Sequence, residues 1–205
     1  MIINTGGRTD TVQYYTEWLV HRFSEGYVFS RNPLFPNKVT RYELTPDNVD
    51  CVVFCSKNYK PILPRLHEIT DRFNTYFHYT ITAYGKDIEP GVPTIEESMQ
   101  TLIELSRQVG RQRVAWRYDP VLLTKEYTMQ RQLETFERMA KVLSPYIDRC
   151  IFSFVEMYKK LENNMPELIP LSEEDKDALA QGLGAIANQY GISIQTCGTN
   201  GDFKK

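Results

Sequence analysis

The run R-V-A-W-R-Y-D-P-V-L-L-T-K-E-Y-T-M-Q-R-Q-L-E-T-F-E-R-M-A-K-V-L-S-P-Y-I-D-R-C-I-F-S-F-V, residues 113–155, decides how the rest of the chain is read. It opens with a short β-rich segment, Arg113 to Trp116. Met129, Leu133, Phe136, Ala140 and Leu143 then recur at spacings of four, three, four and three, one apolar stripe of an amphipathic helix. It closes on a second β-rich segment, Cys150 to Val155. A strand, a helix and a strand in that order are a β/α/β unit, whose two strands run parallel.

The same alternation extends outward to both ends. Ile2 to Asn4, Cys51 to Cys55, Tyr76 to Ile81 and Ile192 to Ile194 complete a set of six predicted strands. Several are apolar at successive positions, as parallel strands buried on both faces should be. Helical stripes fall between them, with Leu66, Ile69 and Phe73 in one and Leu179, Leu183, Ile186 and Tyr190 in another. Asp10 with Gln13 and Thr94 with Glu97 have capping-box spacing, and Ser172 opens an acidic first turn. Gly110 and Gly191 stand where helices should stop. Residues 27–44 depart from the pattern: two strand-like runs flank Arg31-Asn32-Pro33-Leu34-Phe35-Pro36-Asn37, which predicts a hairpin or flap after the first helix.

Six β/α units in one domain of 205 residues predict an α/β fold, a partial (β/α) barrel of about six parallel strands. An open doubly wound sheet is the competing arrangement. In both, ligands bind beyond the carboxyl ends of the strands, so both point to the same loops. Those loops give a ring of Arg8, Lys57, Lys86, Arg117, Asp119 and Glu156.

Arg117 and Asp119 stand two apart on an extended chain and so share a face, with Trp116 and Tyr118 on the other. A guanidinium held by a carboxylate presents its remaining donors to a ligand's carboxylate or phosphate. A structural ion pair closing the barrel top is the alternative. Lys57 follows a buried strand, where desolvation favours general-base work, with a plain anion-binding lysine as the alternative; Glu156 is a candidate general acid or base, or else a carboxylate bonded to Lys86 or Arg117. Arg117, Asp119, Glu156 and Lys57 are therefore the expected catalytic set. Arg8, Asp10, Lys86, Asn58 and Tyr118 are the expected substrate or anion contacts. Arg8 lies beside Gly6-Gly7 ahead of a predicted helix N-terminus, which favours anions.

No metal site is legible. Cys51 and Cys55 on one strand would lie roughly 13 Å apart at about 3.3 Å per residue, too far for shared ligation. Cys150 reads as a core thiol, and Cys197 at the end of the sixth strand is a weak metal candidate. His21, His67 and His78 have no second ligand at chelating spacing. No P-loop, dinucleotide fingerprint or Gly-x-Ser-x-Gly elbow occurs. With 24 basic and 26 acidic residues the net charge is -2, so general nucleic-acid binding is not expected. Neither a signal segment nor a membrane-length apolar run is present, and the cysteine usage fits a reducing compartment, so a cytoplasmic location is expected.

Arg8-Thr9-Asp10, Arg31-Asn32-Pro33, Val53-Phe54 with Lys57-Asn58, Ile88-Glu89-Pro90, Trp116-Arg117-Tyr118-Asp119-Pro120 and Ser153-Phe154-Val155 together resemble the bacterial domain-of-unknown-function family numbered 1848. The resemblance covers essentially the whole chain. It implies a link to radical S-adenosylmethionine enzymes, because longer members continue into a cysteine-rich C-terminal segment similar to their cluster-binding loop. A [4Fe–4S] cluster and S-adenosylmethionine are thus implied by the family, while the four cysteines of this chain do not supply the cluster ligands. Gly6-Gly7 and Cys55 depart from the wording common in the family and suggest a different pocket.

Two functions follow as expectations. One is the barrel portion of an iron–sulfur or radical S-adenosylmethionine-like enzyme acting on an anionic substrate. The other is a cluster-free binding module for a phosphorylated or carboxylated small molecule. An open barrel edge is an aggregation liability, so a partner or a missing C-terminal segment is expected to cover it.

Overall fold

A computed structural model describes residues 1–157 and 159–197, with the backbone alone for Lys160 and Glu162. In chain order the strands are β1 (Ile2–Asn4), β2 (Tyr27–Arg31), β3 (Val39–Glu43), β4 (Cys51–Ser56), β5 (Thr75–Thr80), β6 (Val114–Val121), β7 (Arg149–Phe154) and β8 (Ser193–Thr196). The helices are α1 (Thr11–Tyr14), α2 (Thr16–Glu25), α3 (His67–Thr70), α4 (Ile95–Val109), α5 (Met129–Leu143), α6 (Lys159–Asn164) and α7 (Glu173–Gln189).

One six-stranded sheet has the order β1-β4-β5-β6-β7-β8 and does not close on itself. Apart from the inserted hairpin, each new strand is added on the same side of the one before. A doubly wound sheet instead reverses its order at a switch point, so this order is that of a partial β/α barrel. The pairs β1/β4, β6/β7 and β7/β8 are parallel. β2 and β3 form the predicted hairpin as a separate antiparallel pair, with Tyr27 opposite Glu43 and Arg31 opposite Val39. The chain divides into two compact units, Met1–His78 and Tyr79–Lys205, with the boundary inside β5.

In the first unit, Phe54 of β4 stacks on Phe77 of β5 with ring centroids 4.9 Å apart, and Tyr59 meets Phe77 edge-on. Phe23 of α2 packs on Phe73 in the same way. Helix α2 stops at Gly26, whose φ of 80° is the left-handed conformation that glycine adopts without a Cβ penalty. In the second unit Trp116 and Tyr118 of β6 pack on Phe136 of α5, the Trp116 ring stacked at 4.7 Å. Thr94 with Glu97 and Ser172 with Asp175 form capping boxes that start α4 and α7. A Cβ at Gly182 would come within 2.8 Å of Leu133 Cδ2, so this glycine lets α7 approach α5.

Three sequence expectations change. The fourth predicted strand does not end at Trp116: β6 continues to Val121, and Arg117, Tyr118 and Asp119 are strand residues, with Arg117 in register with Ile151. Their charges read as loop, yet Tyr118 is buried and anchors the run in the sheet. The strands are also less uniformly apolar than expected. In β4, β5 and β7 buried positions alternate with half-buried ones, so one face of each carries the core. Finally, the helix after Arg8 is a single turn, Thr11–Tyr14, too short to build an anion site from its dipole.

Candidate functional site

Parity on β6 builds the site. Trp116 and Tyr118 face α5, which turns Arg117 and Asp119 to the opposite face. There Arg117 Nη2 donates to Asp119 Oδ2, and Ser153 Oγ of β7 donates to Asp119 Oδ1. The two charged side chains are 24% and 19% exposed, so the pair is shielded but reachable. Arg117 Nε is buried and has no hydrogen-bond partner among the described residues. The guanidinium is thus fixed at one end by a carboxylate while a donor on its other side is unsatisfied.

The opposite face of β6 carries a second polar group with a different purpose. Gln132 of α5 is fully buried; it accepts from the Tyr118 hydroxyl and donates to the Leu122 carbonyl at 2.8 Å and to the Tyr84 hydroxyl at 3.3 Å. Tyr84 in turn donates to the Pro120 carbonyl at 2.7 Å and accepts from the Leu122 amide at 2.8 Å. These bonds clamp the chain on either side of Val121, immediately after Asp119, where the β6 register shifts. Burial pushes the Tyr84 and Tyr118 hydroxyls well above the ordinary phenol range, so both stay protonated. Tyr118, expected as a ligand contact, is therefore a packing and clamping residue turned away from Arg117.

Lys86 does not present its ammonium to a ligand: Nζ donates to the Pro90 carbonyl at 3.4 Å and to the Val92 carbonyl, tying down its own loop. Beside it, Asp87 accepts from the Tyr127 hydroxyl at 2.8 Å. Glu156 is exposed beyond β7 and has no hydrogen bond or ion pair among the described residues; Arg117 has Asp119 as its carboxylate.

In the first unit the candidates are drawn into loop structure. Asp10 caps α1 by accepting from Gln13 N–H at 2.8 Å, and its other oxygen accepts from Ser56 Oγ at 2.8 Å and Lys57 N–H at 3.1 Å. A carboxylate with three donors joins the β1 and β4 loops and is not an anion contact. Asn58 Oδ1 accepts from Lys60 N–H at 3.1 Å, a local turn. Arg8 Nη1 donates to the Arg31 carbonyl at 2.8 Å, fastening its loop to the hairpin. Gly6 has a steric reason: a Cβ there would lie 2.6 Å from the Cys55 carbonyl oxygen.

Ser153 was missing from the sequence-based set. Its signal was its parity: a lone hydroxyl two residues after Ile151 in an apolar strand. The buried network around Gln132 left no comparable trace, since glutamine on a helix reads as solvent-facing.

Cys51 and Cys55 are half-buried on β4, Cys150 is buried on β7, and Cys197 is exposed just after β8. Burial holds the Cys150 thiol far above its usual range and so in the unreactive protonated form. Among the described residues no three His, Cys, Asp or Glu side chains are placed to hold a metal ion. The residues described do not fit a [4Fe–4S] cluster, which needs several cysteine ligands brought together.

A family model described as "Domain of unknown function (DUF1848)" matches residues 2–205. Among curated proteins there is no match. A solved structure of a mutant spore photoproduct lyase, with bound AdoMet and dinucleoside spore photoproduct, is similar with a TM-score of 0.60 at 12% identity. The likeness covers 95% of this chain and 60% of that one, so the chain spans less than two thirds of the structure it resembles. No helix among the described residues is long and apolar enough to cross a membrane.

Proposed function

The chain belongs to the DUF1848 family, and from that premise we propose that it forms the barrel portion of a radical S-adenosylmethionine-like enzyme in which Arg117 binds a carboxylate or phosphate of the substrate. The observation that carries this reading is the state of Arg117: fixed through Nη2 by Asp119, with Nε buried and without an acceptor. A buried donor left unpaired costs about 1–3 kcal/mol, and an anionic ligand supplies the missing acceptor. Asp119 orients the guanidinium, Ser153 orients Asp119, and the clamp of Tyr84 and Gln132 fixes the backbone behind them. The likeness to an AdoMet-bound enzyme supports the choice of enzyme class. Because the described residues do not fit an iron–sulfur cluster, no chemical step is assigned to one.

A second reading, a cluster-free module that binds a phosphorylated or carboxylated small molecule, is favoured by the placement of the cysteines. Both readings share the Arg117 site. The test is thermal unfolding of the protein with inorganic phosphate or S-adenosylmethionine, in the wild type and in Arg117→Met. Ligand at about 100 times its Kd should raise wild-type stability by about 2.7 kcal/mol. Arg117→Met should remain folded and lose that gain. Equal stabilisation of the two proteins would remove Arg117 from the site. The choice of ligand then separates the readings: stabilisation by S-adenosylmethionine supports the enzyme, and stabilisation by phosphate alone supports the module.

A further inference from the structure

We propose that the groove beside β1 in the first unit is a docking site for an extended acidic peptide segment, which adds as a strand to the open edge of β1. The groove has a volume of about 880 Å³ and lies among β1, α2 and the β2–β3 hairpin. It belongs to the first unit, whereas Arg117 belongs to the second, so the inference stands independently of the function proposed above.

The backbone provides the first argument. β1 is a terminal strand of the sheet and, among the described residues, pairs only with β4. Thr5 N–H bonds to the Val53 carbonyl and the Met1 carbonyl accepts from Asp50 N–H, so alternation turns the N–H and C=O groups of Ile2 and Asn4 to the other edge. Both residues line the groove. An unpaired edge of this kind is the template used in recognition by strand addition.

Charge selects the peptide. Among the described residues three arginines line the groove, Arg8, Arg22 and Arg31, and no aspartate or glutamate does. This concentration of positive charge occurs in a chain whose net charge is -2. Arg22 Nε is buried without a hydrogen-bond partner among the described residues, so here too a donor lacks its acceptor. Arg8 is held by its bond to the Arg31 carbonyl, which brings the first and last of the three to one rim.

The walls provide the third argument. Trp18, Phe29 and Ile2 are 47%, 58% and 70% exposed and line the same groove. Large apolar side chains gathered around an open strand edge mark an interaction surface. A strand with acidic residues on one face and β-branched residues on the other meets both chemistries, because side chains alternate along it.

The experiment is fluorescence anisotropy with a labelled six-residue peptide of alternating glutamate and valine, against a lysine–valine peptide and a glutamate–valine peptide N-methylated at alternate residues. The acidic peptide should bind more tightly than about 1 mM, and N-methylation should weaken it at least about tenfold by removing the strand donors. Arg31→Glu lies on an exposed side chain and should weaken the acidic peptide by at least about tenfold while improving the lysine peptide, with Arg31→Lys retaining the acidic preference. Equal binding of all three peptides, or none at about 1 mM, would overturn the proposal.

Discussion

The eight residues of β6 make two faces that do opposite things. Toward α5, Trp116 and Tyr118 are buried among aromatic rings, and every polar atom of the Tyr84, Tyr118 and Gln132 cluster that the structure describes is used in a bond. Toward the other side, Arg117 and Asp119 are partly exposed, and a guanidinium donor is left without an acceptor. A satisfied polar network closes a structure, whereas an unsatisfied one leaves it open to a ligand. The contrast assigns stability to one face and binding to the other, and substitutions on either face can break it.

Trp116→Ala should have the largest effect on stability, a loss of about 3–5 kcal/mol in urea unfolding, because it empties a fully buried aromatic site. Gln132→Leu comes next. It removes the side-chain acceptor of the Tyr118 hydroxyl, which keeps the longer bond to the backbone carbonyl of position 132 at 3.3 Å, and it removes the side-chain donor to the Leu122 carbonyl; the expected loss is about 1–3 kcal/mol, and Tyr118→Phe in the same background should recover part of it. If the double variant is no more stable than Gln132→Leu, the two side chains do not act as a unit.

Alkaline pH probes the same face more gently. Cys150 and Tyr118 have folded-state pKa values raised by burial above their ordinary values of 9.0 and 10.0. The unfolded chain therefore loses these protons first, so the contribution of these two groups to stability is constant below pH 9.0 and falls above it. The decline should approach about 1.4 kcal/mol per pH unit for each group once its unfolded pKa is passed. Cys150→Ala should delay its onset toward pH 10.0, where Tyr118 and Tyr84 take over. Unfolding curves at a series of pH values give the comparison directly, and an unchanged onset would contradict the burial of the thiol. The smallest effect should come from Arg117→Met, within about 1 kcal/mol, because a partly exposed ion pair contributes little to folding. A loss as large as that of Trp116→Ala would mean that the inner face is core as well.

Much of this arrangement was legible in the sequence because it rests on periodicity. The stripe of Met129, Phe136 and Leu143 and the parity of Trp116 and Arg117 follow from helix and strand geometry, as do the stops at Gly110 and Gly191. What could not be read was the partner of each polar group. Arg117, Tyr118 and Asp119 looked like a loop because charge density resembles a surface, and only the sheet register shows Arg117 and Tyr118 paired with β7. Asp10, Lys86 and Asn58 were grouped with the site by loop position, yet their bonds go to Ser56, to the Val92 carbonyl and to Lys60. The groove beside β1 was equally hidden, because the exposure of Trp18 and Phe29 is a property of the assembled unit.

The unsatisfied donor on Arg117 is the point on which the account rests, and it has its own NMR signal. The measurement is the arginine Nε–H resonance of ¹⁵N-labelled protein, assigned by its loss in Arg117→Lys and followed during titration with inorganic phosphate. A saturable shift of that resonance, absent for arginines with exposed side chains such as Arg138, is the result expected if the Nε–H donates to a ligand anion. A resonance that stays fixed up to saturation of all other phosphate-dependent changes would show that the inner face of β6 is not where the anion binds.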